Sequence, residues 1–161
     1  MLRKFFILMA FSALTVQQVS AQEVFTEIRR LSFAAARDTT KSVEERKIAT
    51  FKVDALDYFA QKSRELTPDS SMSVLDYQAY AMYEYVNLFA KRYTEVKKRK
   101  KEQVIYFFKQ ASLNNPRFGD EDTGLTHAYI DKPGYLTQFS LDTDWVKALD
   151  ELRHLDWSWI K

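Results

Sequence analysis

The chain has 161 residues, 24 lysines and arginines against 22 aspartates and glutamates, and no cysteine. The missing cysteine excludes a disulfide framework, a thiolate metal site and a cysteine-linked lipid. The near-neutral charge excludes the domain-wide basic face that nucleic-acid binding requires.

Residues 1–21 follow the three-part order of a secretory signal peptide. Arg3 and Lys4 come first, then an apolar stretch from Phe5 to Leu14, then Val19-Ser20-Ala21 with small or short side chains. An apolar run of about twelve residues falls short of the roughly twenty that span a bilayer as a helix. Cleavage after Ala21 leaves 140 residues in which 22 cations face 22 acids. The expected product, residues 22–161, is one exported helical domain without a transmembrane span, periplasmic or secreted. Export without disulfides suits a bacterial envelope.

A first helix is expected from Glu23 to Ala36, with Val24, Ile28, Leu31 and Ala35 on one face and Asp38-Thr39-Thr40 ending it. Ser42 followed by Glu45 fits a capping box and opens a second helix striped by Ile48, Phe51, Ala55, Phe59 and Leu66. Thr67-Pro68-Asp69 closes it, because the residue before proline disfavours helix. The third helix starts at Ser73. Its polar residues Asp76, Glu84, Asn87, Lys91 and Thr94 occupy a narrow strip and its tyrosines most of the remainder, the pattern of a central helix covered from several sides.

The run Lys97-Lys98-Arg99-Lys100-Lys101 follows, and the apolar spacing across it predicts one long or kinked helix to about Leu113. All three glycines and two of the three prolines then fall between Asn115 and Gly134, marking an irregular segment. Lys132-Pro133-Gly134-Tyr135 suits a type II turn, with 125–130 and 135–139 as the arms of a small β-hairpin. A last helix starts near Asp142 or Thr143 and carries Trp145, Val146, Leu149, Leu152 and Leu155 on one face. The predicted architecture is all-α: four or five helices bundled around the tyrosine-rich third one.

Chemical motifs are sparse. Around a helix, five consecutive cations form a solvated collar, with contact to an anionic envelope surface as the functional reading. A calcium loop read from Asp120 fails because Gly124 and Leu125 occupy its fifth and sixth positions. His127 and His154 are the only histidines and lack metal-ligand spacing, so no metal is expected. No nucleophile elbow or phosphate-binding glycine loop occurs, and no cofactor is expected.

The preferred reading is a non-enzymatic interaction module meeting a protein partner in the cell envelope. Its candidate contacts lie in the irregular segment and the C-terminal tail: Arg117, Phe118, His127, Tyr129, Tyr135, Trp157 and Trp159. One alternative is an envelope glycan hydrolase using Glu121 or Asp122 with Asp131 as paired carboxyl groups and Thr137 to orient water. Another is a carrier of a small apolar ligand, which requires a cavity of roughly 300 Å3 or more beside the third helix.

Overall fold

The computed structural model describes residues 23–69 and 72–158, so the signal-peptide segment and Trp159 lie outside the described residues. The chain is mostly helical, with six helices and no strand among the described residues. Helices α1 (Glu23–Arg37), α2 (Val43–Leu66) and α3 (Met72–Glu95) pack mutually, and α4 (Lys101–Asn114) and α6 (Trp145–His154) pack against α3 and each other. The single turn α5 (Thr123–Thr126) interrupts the long connection between α4 and α6.

Local chemistry sets several of these boundaries. Ser42 Oγ accepts from the Glu45 backbone N–H at 3.2 Å, and Glu45 Oε2 accepts from the Ser42 backbone N–H at 2.9 Å. This capping box satisfies two N–H groups that the first turn of α2 leaves unbonded. Just before Pro68, Ser63 O accepts from the Thr67 backbone N–H at 2.9 Å and closes the helix.

The third helix is not continuous with the fourth. It stops at Glu95, Lys97 is extended with ψ 151°, and a single 3-10 turn over Lys98–Lys100 leads into α4. The reversal lets α4 lie back along α3. Phe108 then meets the rings of Tyr85 and Phe89 at 5.2 and 5.3 Å, and the Tyr85 hydroxyl donates to the Phe108 carbonyl. A continuous helix would carry Phe108 away from both.

No hairpin forms either. The Asp122 carboxylate caps the Leu125 backbone N–H at 3.0 Å and starts a helical turn, so residues 125–130 coil instead of extending. Asp131, at φ 53°, then bends the chain. The turn expected at Lys132–Tyr135 is present, with Tyr135 N–H donating to Lys132 O at 3.0 Å. Gly134 does not adopt the positive φ that type II demands, so the turn is of another type.

The irregular segment supplies part of the core. Phe139 is fully buried, with ring centroids of Phe51, Tyr85 and Phe89 at 5.5, 5.3 and 5.1 Å in edge-to-face arrangements, the geometry aromatic quadrupoles favour. Trp145 at the start of α6 joins them, 6.0 Å from Phe51 and 5.3 Å from Tyr85.

Candidate functional site

A buried polar latch joins the irregular segment to the helices. Asp142 accepts from the backbone N–H groups of Phe118 and Asp120 at 2.8 and 2.9 Å. Asp144, with a side chain only 3% exposed, accepts from Gln78 Nε2 at 2.9 Å and Arg117 Nη1 at 3.1 Å and caps the N-terminus of α6. Burial alone would raise the Asp144 carboxyl. The hydrogen bonds from Gln78, the Lys147 backbone and Arg117 outweigh it and hold the group below the usual range. Gln78 Oε1 in turn accepts from the Trp145 backbone N–H. Each of these carboxylates accepts from several donors, an arrangement that positions the backbone around it.

The segment is also pinned to α2. Tyr58 and Lys62 both donate to Asp120 Oδ2, at 3.0 and 2.8 Å, and the Lys62 ammonium is the main cause of the lowered Asp120 carboxyl. The Tyr129 hydroxyl donates to Asp54, and Lys47 donates to Gly134 O at 2.6 Å.

These bonds decide where the sequence-derived candidates sit. Arg117 is engaged by Asp144, and Phe118 packs between the rings of Tyr58 and Phe59. Tyr129 is buried edge-on against Phe51, with half-buried Tyr135 beside it at 4.9 Å. Trp157 is half-buried on Phe107 and Phe108 under the Arg92 guanidinium, its Nε1 donating to Leu152 O. Of this group Arg117 and His127 are the exposed members among the described residues, and Arg117 is held by Asp144.

The carboxylates Glu121, Asp122 and Asp131 are exposed; Asp122 is the α5 cap and Asp131 pairs with Lys109. Thr137 is buried with its hydroxyl unbonded, removed from the solvent in which it would have to orient a water. No hydrogen bond among the described residues joins these four side chains to one another. No group of three or more His, Cys, Asp or Glu among the described residues is arranged to hold a metal ion, and no described helix is long and apolar enough to cross a membrane.

Sequence reasoning assigned Tyr77 and Tyr80 to the covered arc of the third helix and Val146 to the inner face of the last. All three are exposed, at 71%, 53% and 44%. They line a groove of about 340 Å3 between α3 and α6, floored by Ala81 and Leu149 and rimmed by Lys147, Asp150 and Arg153. The i, i+3 spacing of Tyr77 and Tyr80 was the available signal: it puts both rings on one side of the helix, one residue off the face that carries Tyr85 inward. In comparison with known proteins, no family model, curated protein or solved structure matches this chain.

Proposed function

We propose that the chain is a non-enzymatic interaction module, exported to the cell envelope by its leader-like first twenty-one residues, and that it grips a partner protein in the α3–α6 groove. The observation that carries this reading is the exposure of Tyr77 and Tyr80 at the groove, on a helix whose other tyrosines, Tyr83, Tyr85 and Tyr93, are buried or half-buried. Tyrosine supplies a large ring at low conformational cost together with a polar tip, and is enriched where interfaces concentrate their binding energy. Two cations against one acid on the rim favour a partner segment that brings an apolar side chain to Ala81 and Leu149 and an acidic one to Lys147 or Arg153. The irregular segment supports this site by holding α6 in register through Asp144 and Gln78.

The reading is tested by placing a photo-crosslinking residue at position 80 or at position 127 in the exported chain. The protein captured from position 80 is then purified and titrated against wild type and the Tyr77→Ser/Tyr80→Ser variant. A loss of at least about thirtyfold, the scale of a 2 kcal/mol hot spot, with an unchanged melting curve is expected. Unchanged affinity, or capture from position 127 alone, refutes the choice of surface.

A further inference from the structure

A second cleft lies between α1, α2 and α3, and its chemistry differs from that of the tyrosine groove. It has a volume of about 340 Å3 and apolar walls that include Leu31 and Ala35 from α1, Ile48 from α2 and Ala90 from α3. Half-buried Lys52 also lines it. Its ammonium donates to Asn87 Oδ1 at 2.9 Å and lies 4.4 Å from the centre of the Tyr83 ring. Both partners are neutral, and no carboxylate lies within 4 Å of the ammonium among the described residues.

Cations removed from water are ordinarily paired with an anion, because an amide oxygen and a ring face replace only part of the lost hydration. The residual cost shows in the titration of the group. Burial pulls Lys52 from its ordinary 10.5 down to about 8, with Glu84 opposing only in part. The other charged residues lining the cleft are Lys41 and Glu45, and α1 contributes none. Glu45 already accepts from Ser42 and Glu84 acts on Lys52 only from beyond bonding distance, so no carboxylate among the described residues pairs with the ammonium directly.

We propose that this cleft binds a small apolar monocarboxylate, with Lys52 Nζ donating to the carboxylate and Leu31, Ile48 and Ala90 covering the apolar body. The volume sits at the lower end of the range for small-molecule sites, roughly 300 to 1,000 Å3, which suits one medium-length acyl chain. The cleft is open at the surface and separate from the packed tyrosine core. The inference does not depend on the partner groove, which lies on the α6 side of α3.

Calorimetric titration of the full chain with sodium decanoate, and with 1-decanol as the uncharged counterpart, tests it. Wild type binds decanoate saturably at about pH 7. Lys52→Met weakens decanoate at least about tenfold while leaving decanol unchanged, and Ala90→Leu, which fills the cleft but retains Lys52, weakens both ligands. Because the carboxylate needs the protonated amine, affinity for decanoate falls about tenfold between about pH 7 and pH 9 as Lys52 deprotonates in the free protein. Equal decanoate affinity in wild type and Lys52→Met overturns the proposal, as does the absence of saturable decanoate binding at millimolar concentration. Thermal melts of both variants confirm that each is folded.

Discussion

Replacing Lys52 by methionine keeps an unbranched side chain of similar length in the cleft and removes the ammonium. A pKa drawn from 10.5 to about 8 means that the folded state holds this charge at a cost of about 3 kcal/mol, at about 1.4 kcal/mol for each tenfold change in proton affinity. Methionine forfeits the hydrogen bond to Asn87 and the contact with the Tyr83 ring, together worth about 1 to 2 kcal/mol. The variant is therefore expected to be more stable than wild type by about 1 to 2 kcal/mol at pH 7. Folding lowers this pKa, so between about pH 8 and 10.5 the unfolded chain binds more protons at this site than the folded one. Wild-type stability at this site rises across that window as pH increases, and the full penalty applies below about pH 8. The advantage of the variant should thus be widest near pH 7 and close toward pH 10.5. Urea unfolding of both proteins at the two ends of the window, followed by circular dichroism, measures it. A variant less stable than wild type by about 1 kcal/mol at pH 7, or a gap indifferent to pH, would show that Lys52 is held by favourable contacts and is not stranded.

Four further outcomes follow from the packing. Phe139→Ala should cost about 3 to 5 kcal/mol in urea unfolding, since its ring fills the centre of the aromatic cluster. Asp144→Ala should cost about 3 kcal/mol because Gln78 and Arg117 lose a buried charged acceptor. Since the Asp144 carboxyl is held below its ordinary 3.8, its stabilisation is present at neutral pH and is lost as the pH drops below that value, so the difference from wild type narrows in acid. Ser42→Ala should lower stability by about 1 kcal/mol, with a non-additive double mutant when combined with Glu45→Ala. Thr137→Val should raise the unfolding midpoint by the equivalent of about 1 kcal/mol, because it removes a buried hydroxyl that has no protein partner; a lower midpoint would mean that the hydroxyl is satisfied in solution.

The groove and the Lys52 cleft differ in how far the sequence reveals them. Lys52 follows Ile48 by four residues and precedes Ala55 by three, so the chain itself displays a lysine at the edge of an apolar stripe. That no carboxylate pairs with this lysine directly depends on how close α1 and α3 bring theirs. Tyr77, Tyr80 and Tyr85 all belong to the apolar arc of the third helix, yet two are exposed and one is fully buried. Periodicity reports direction around a helix axis, whereas exposure depends on how far the neighbouring helices extend along it.

Local interactions were legible without the fold: the Ser42–Glu45 capping box, the stop at Thr67-Pro68 and the clustering of glycine and proline after Asn115 each act within a few residues. They suffice to make the chain mostly helical and to divide it into helical and irregular parts. Long-range packing decided the rest. The break after Glu95 follows from the fit of Phe108 against Tyr85 and Phe89, and the inward turn of Phe118 and Tyr129 from helix α2. Helical periodicity across Lys97–Lys101 favours one long helix where the structure has two, because the free energy that separates the alternatives comes from burying side chains distant in sequence.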